Sequence, residues 1–166
     1  MTGDLRDEIA ALVPRLRRFA YAICGNREEG DDLVQTACLK ALSRSEQYQP
    51  GTRLDSWMFR IIQTTFIDSK RRHKRRGEQS DPEVLERLSD GGLSADQSEH
   101  RLVLARVREA MERLPEEQRA VIALVAIEGY SYKEAAAALE TPVGTIMSRL
   151  ARARARLLPL VAEATK

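Results

Sequence analysis

Residues 129–158 read GYSYKEAAAALETPVGTIMSRLARARARLL, and this stretch decides the fold. Gly129 closes the helix in front of it. Ser131, with Glu134 three residues on, makes a capping box that opens a short helix from Tyr132 to Leu139. The small residues Ala135 to Ala138 let that helix pack closely. Thr141-Pro142 then supplies an N-cap and an N1 proline for a long last helix. A short helix, a tight turn and a longer helix have the spacing of a helix-turn-helix that reads duplex DNA.

The last helix has two faces. Ile146, Leu150, Ala153 and Leu157 recur at helical spacing and are expected to face the core. The opposite side carries Thr145, Ser148, Arg149, Arg152 and Arg156, whose hydroxyls and guanidinium groups reach base edges and phosphates in a major groove. An arginine-rich helix alone reads as a solvated face. Here the capped helix before it and the Thr-Pro start agree with each other, and that agreement favours DNA reading.

Upstream, Leu114-Pro115-Glu116-Glu117 starts a helix: proline suits the first turn and the carboxylates oppose the dipole. It continues through the apolar Val121, Ile122, Leu124, Val125 and Ile127. Leu102, Leu104, Ala105, Val107, Met111 and Leu114 predict one more helix before it. Residues 77–98 are polar, acidic and rich in Gly, Ser and Asp, and read as a linker with one helical turn around Val84 to Leu88.

The N-terminal part is also helical in pattern. Leu5, Ile9, Leu12, Val13, Leu16, Phe19 and Ile23 form one series, started or kinked at Pro14 and ended by Gly25-Asn26. A second helix opens on Glu28, Glu29, Asp31 and Asp32 and runs through Leu33, Val34, Ala37, Leu39 and Leu42. Residues 43–53, with Pro50-Gly51, are a loop. A third helix runs from about Leu54 through Trp57, Ile61, Ile62 and Phe66 into a basic run ending at Arg76. That run, residues 70–76, holds six fixed positive charges in seven residues. A basic tail is the bland reading of it. As an extension of a helix bearing Trp57, Phe59 and Phe66 it suits single-stranded or melted DNA, although Trp57 and Phe59 fit a core better.

Composition sets the frame. Of 166 residues, 43% are hydrophobic and 31% charged, which fits a mostly helical protein, and only 5% are aromatic, which argues against a large single core. The net charge of +2 hides an asymmetry: Lys and Arg against Asp and Glu number 15 to 10 in residues 1–76, 1 to 6 in 77–98 and 11 to 9 in 99–166. Two basic blocks around an acidic segment imply separate nucleic-acid contacts. No apolar run approaches the roughly 20 residues of a membrane span, and the polar N-terminus lacks a signal-peptide pattern, so a cytoplasmic protein is expected. Cys24 and Cys38 read as core thiols rather than a disulfide. Neither has ligand spacing to His73 or His100, so no metal and no cofactor are assigned.

With these residues in view, the chain resembles bacterial sigma factors of the extracytoplasmic-function (ECF) group. The resemblance is carried by Asp31-Asp32-Leu33-Val34-Gln35, Trp57-Met58-Phe59-Arg60-Ile61 and Ile67-Asp68-x-x-Arg71-Arg72. It continues in Leu114-Pro115, Gly129-Tyr130-Ser131-Tyr132-x-Glu134-Ala135-Ala136 and Pro142 to Leu150. It implies an all-α fold of two small helical domains: 1–76 as sigma domain two, 77–98 as acidic linker, and 99–166 as sigma domain four. Asp31, Asp32, Leu33 and Gln35 would dock on the clamp of the largest polymerase subunit, with the flap of the second-largest as a further contact. The loop 43–53 and the helix behind it, with Thr64, Asp68, Lys70, Arg71, Arg72 and Arg75, would capture and melt the −10 element, where flipping a base costs a few kcal/mol. Thr145, Ser148, Arg149, Arg152 and Arg156 would read the −35 element as duplex, and the linker would thread toward the RNA exit path. The resemblance also implies an anti-sigma factor that clamps between the two domains, and no catalysis.

The chain departs from the family pattern at Gln63 and Thr64, where many members have Arg-Asn, and at Met147, where many have Lys or Arg. A thioether suits an apolar base edge such as a thymine methyl, not a phosphate. Two other classes would leave different marks in the sequence. A freestanding regulator would need dimer symmetry and a sensory domain, and a DNA-processing enzyme would need a catalytic cluster or a phosphate-cradling glycine loop. The sequence offers neither.

Overall fold

A computed structural model describes residues 4–77 and 95–164. The elements are α1 (Leu5–Cys24), α2 (Arg27–Ser43), a 3-10 turn (Ser45–Gln47), α3 (Leu54–Arg75), α4 (Ala95–Glu112), α5 (Glu116–Ile122), a π-helical turn (Ala123–Ile127), α6 (Tyr132–Ala138) and α7 (Val143–Ala164). Among the described residues there is no strand, as an all-α fold requires. No described helix is long and apolar enough to cross a membrane. The helical turn expected around Val84 to Leu88 lies outside the described residues.

Local chemistry accounts for the helix ends. Asp4 caps α1, its carboxylate accepting from the Arg6 N–H. Gly25 ends α1 in the left-handed conformation at φ 80°. Asn26 at once caps α2, its Oδ1 accepting from the Glu29 N–H at 2.7 Å. Pro14 lies inside α1 and the helix continues through it, although its ring nitrogen cannot donate to the Ala10 carbonyl. Gly30 lets α1 and α2 approach: a Cβ there would stand 2.5 Å from Cδ1 of Tyr21. α3 carries its basic run in its last turn, where the dipole favours cations.

The N-terminal helices close over Leu16, Phe19, Ile23, Met58, Phe59 and Ile62, all fully buried. In the C-terminal part Val121, Leu124, Ile146 and Ala153 are fully buried and Leu157 half-buried, so the apolar face of α7 is the expected one. Phe59 belongs to the core, as expected, and Trp57 is partly buried against it. Cys24 and Cys38 are free, half-buried thiols, and burial pushes Cys24 up to about 12.

Four observations refine or correct the expectations. First, the two helical halves are those expected, and their buried side chains meet in one continuous cluster. Phe59 bridges them, lying 4.9 Å from Phe19 in its own half and edge-on, 5.8 Å, to Tyr130 in the other. A low aromatic content did not prevent this, because three rings suffice. Second, α4 begins at Ala95, inside the segment read as linker, and ends at Glu112, so buried Leu114 follows it. Third, Leu102 and Leu104 on α4 and Leu39 on α2 are exposed despite their place in apolar series. Fourth, the helix expected to run straight to Ile127 changes to π hydrogen bonding at Ala123, where the Glu128 N–H reaches back to the Ala123 carbonyl.

Candidate nucleic-acid interface

The helix-turn-helix is built from its caps. Ser131 Oγ accepts from the Glu134 N–H at 3.0 Å, so the capping-box reading of α6 holds. α6 ends at Ala138, and Glu140 takes the left-handed conformation, φ 50°, in the turn. The Thr141 N–H there bonds the Ala136 carbonyl. Thr141 is not the cap of α7: its hydroxyl donates to the Leu139 carbonyl at 3.0 Å. The first helical acceptor is the Pro142 carbonyl, bonded by the N–H groups of Thr145 and Ile146. Proline is therefore one step earlier than an N1 residue.

From that start, Thr145, Ser148, Arg149 and Arg152 come together with Gly144, Glu117 and Gln118 around a cleft of about 400 Å3. Ser148 donates to the Gly144 carbonyl at 3.0 Å, which holds its hydroxyl against the helix. Arg156 is exposed one turn beyond the cleft, and Met147 is exposed beside it. Such a surface offers guanidinium donors and hydroxyls without any nucleophile–base pair.

On α3, Thr64, Asp68, Lys70, Arg71, Arg72 and Arg75 are all exposed. The Thr64 hydroxyl is engaged locally, bonding the Arg60 and Ile61 carbonyls. Lys70 stands 5.4 Å over the Phe66 ring. Thr64, Lys70 and Arg71 line a cleft of about 520 Å3, whereas Asp68, Arg72 and Arg75 lie outside its lining. On α2, Asp32 and Gln35 are exposed, and Asp31 is exposed but accepts from the Tyr21 hydroxyl, with Arg17 at 3.7 Å. Leu33, expected at a docking face, is 7% exposed and belongs to the core. Its helical position one turn from Ala37 explains this.

A network that the sequence reading did not single out joins the two halves. Arg15 donates to Glu128 at 2.9 Å and to Asp55 at 3.1 Å. Arg53 grips Asp55 through Nε and Nη2 at 3.2 and 2.9 Å, reaches Glu134 through Nη1, and lies 4.4 Å over the Tyr130 ring. Arg60 donates to the Ala137 and Ala138 carbonyls at the end of α6 and pairs with Glu140 at 3.0 Å. Burial alone would raise the Asp55 carboxyl, but hydrogen bonds from Arg53, Tyr130 and Arg15 hold it at about 2. Burial pushes the Tyr130 hydroxyl up to about 12. Arg53, and then Ser131, lower the Glu134 carboxyl. One residue opposes the contact: Arg119 is buried over Phe66 with its Nε unpartnered, and desolvation lowers its pKa.

One signal pointed to this network. Glu128 is an acid at a helix C-terminus, where the dipole disfavours it, and such a residue needs a cationic partner from elsewhere.

Comparison with known proteins agrees with this geometry. Residues 9–76 match the family described as Sigma-70 region 2, and residues 104–157 match Sigma-70, region 4. The chain is 39% identical over 161 residues to the ECF RNA polymerase sigma factor EcfG of Rhodopseudomonas palustris (strain TIE-1), covering 97% of this chain and 87% of that protein. It is 35% identical to the ECF RNA polymerase sigma factor SigE of Mycolicibacterium smegmatis (strain ATCC 700084 / mc(2)155), over 90% of this chain and 58% of that protein. Among solved structures, the sigma factor RpoE in complex with the anti-sigma factor NepR, from Bartonella quintana, superposes with a TM-score of 0.77 at 30% identity. That match covers 97% of this chain and 98% of that one. CnrH in complex with the cytosolic domain of CnrY follows at a TM-score of 0.67 and 27% identity, over 95% and 86%. With both sigma regions in order and a relative matched along nearly its whole length, the chain belongs to the ECF RNA polymerase sigma factors.

Proposed function

We propose that this chain binds core RNA polymerase and directs it to promoters, with residues 1–76 serving the −10 element and the polymerase clamp, the segment from 77 up to the start of α4 at Ala95 serving as linker, and α4 onward serving the −35 element and the flap. The observation that carries this reading is the solvent face of α7, where Thr145, Ser148, Arg149 and Arg152 converge on one cleft behind a capped helix. Arg156 extends that face along the duplex. On the N-terminal side, Lys70, Arg71, Arg72 and Arg75 supply phosphate contacts along α3, and Asp68 and Thr64 sit on the same exposed helix. Asp31, Asp32 and Gln35 form the clamp-facing side of α2, with Leu33 holding that helix in place from the core.

The chain acts without catalysis of its own, in the cytoplasm, and an anti-sigma factor controls it. Relatives of this fold are solved with NepR and with the cytosolic domain of CnrY, which supports such a partner here.

Transcription from a promoter library with purified core enzyme tests the reading. Run-off products that need both core enzyme and this chain are the expected result. Tight, sequence-specific binding to duplex promoter by the chain alone would instead indicate a freestanding regulator.

A further inference from the structure

The cleft in front of α7 is walled on one side by residues outside the set assigned to DNA. Glu117 and Gln118, from the first turn of α5, line it together with Thr145, Ser148, Arg149 and Arg152. Glu117 is exposed. Among the described residues, no hydrogen bond or ion pair engages the side chains of Glu117, Arg149 or Arg152. Glu117 and Arg149 both line the neighbouring cleft of about 520 Å3 as well, again without pairing. A carboxylate and a guanidinium therefore share one space and leave each other free. The dipole of α5 favours a carboxylate in its first turn, but Glu116 already meets that preference.

A carboxylate on a surface that receives a polyanion is repelled by every phosphate near it. It contributes only where it meets a donor. In the major groove the base edges offer two, N6 of adenine and N4 of cytosine. Arg149 decides between them. A guanidinium makes its best base contact with O6 and N7 of guanine. Across the groove a G·C pair presents acceptor, acceptor and donor in that order, so the N4 amine of cytosine lies directly beside O6. An A·T pair sets its amine between its two acceptors, and a guanidinium cannot take both. The G·C order alone matches Arg149 and Glu117 side by side. The other cleft residues are less available for that amine: Gln118 is only 6% exposed, and the Ser148 hydroxyl is engaged with the Gly144 carbonyl.

We propose that Glu117 is a specificity-determining residue of the duplex site, its carboxylate accepting from N4 of cytosine in the G·C pair whose guanine Arg149 reads. The proposal rests on the promoter-binding reading above. Where that pair is absent the carboxylate finds no donor and its repulsion from the phosphates remains, so Glu117 rejects wrong sequences as well as favouring the right one.

Selection from duplexes randomised over the −35 element, by core enzyme reconstituted with the full chain, tests this. The wild type should demand G·C at one position. Arg149→Ala and Glu117→Ala should relax that same position, the latter by roughly fivefold to tenfold, the low end of what a base-edge contact contributes. Glu117→Ala should also bind scrambled duplex more tightly, because a repulsive charge has gone. Loss of a merely structural residue would instead weaken all sequences alike. A second measurement isolates the amine. Replacing that cytosine by 2-pyrimidinone removes N4 and keeps the guanine, and should weaken the wild type by the same factor while leaving Glu117→Ala unchanged. Relaxation at different positions, an A·T requirement at the shared one, or equal losses of both proteins on the 2-pyrimidinone duplex would overturn the proposal. If the chain selects duplex without core enzyme, the promoter-subunit reading falls and the same comparison on the chain alone still decides the role of Glu117. If no duplex is selected in either form, both fall.

Discussion

Asp55 shows how much a single side chain draws from residues far away in sequence. Its partners are Arg53, two positions back, Arg15, forty positions back, and Tyr130 in the other half. The carboxyl is held at about 2 against an ordinary 3.8, a difference worth about 2 kcal/mol at neutral pH. Because the folded-state value is depressed, this stabilisation is present above pH ~4 and is lost as pH falls toward 2. Asp55→Asn should therefore lower unfolding stability by about 2 kcal/mol at pH 7. In denaturant titrations the gap from wild type should close between pH 4 and pH 2. A gap that is constant across that range would show that the charge is not what matters. Asp55 does not stand out in the sequence, and Glu128 does so only as an acid at a helix C-terminus; neither points to its partner, since Arg15 is 113 residues from Glu128. Leu33 erred in the other direction: a motif residue read as surface is buried because helical phase, not motif membership, decides its face.

At the level of elements the reading was better, and the reason is periodicity. The apolar and polar faces of α7 follow from spacing alone, and Ile146, Leu150 and Ala153 are buried as that spacing requires. Cap chemistry was legible where it is local, at Ser131 and at Gly25. It failed by one residue at Thr141, whose hydroxyl turns back to Leu139. The π turn at Ala123–Ile127 was not legible at all, because an all-apolar run has no polar residue to betray a change of pitch. Two expectations belong here. Arg149→Ala should cost about 1–3 kcal/mol in −35 binding by reconstituted holoenzyme if Arg149 reads a base. Equal losses on consensus and scrambled sequences would make it a phosphate contact instead. Gly30→Ala should destabilise the N-terminal helices by about 1–3 kcal/mol in chemical denaturation, because the new methyl group meets the Tyr21 ring.

Across the whole molecule, Phe59 and Tyr130 make one folding unit of two recognisable regions. Trp57 is the single tryptophan and lies in the N-terminal half, so its fluorescence reports on that half while circular dichroism reports on every helix. In the wild type at low salt the two signals should melt together. Tyr130→Ala removes the edge-on ring and the Ser56 contact, and should cost about 3–5 kcal/mol. The two melting curves should then separate. Coincident curves in the variant would place the coupling elsewhere. Long-range unity of this kind was beyond the sequence reading, which saw two basic blocks and an acidic segment and inferred independence. Charge patterning reports what each block attracts, not whether the blocks attract each other.

The end of α6 relies on a side chain it does not own. Its last carbonyls take their donors from Arg60, nearly eighty positions upstream, and Glu140 in the following turn pairs with the same guanidinium. A helix finished by a distant segment cannot drift in evolution by itself. Among relatives of this chain, substitutions at the positions of Arg60 and Glu140 should occur together, so that a lost arginine is matched by a lost acid or by a glycine relieving the left-handed turn. A mutation that damages one region should likewise find its suppressors in the other.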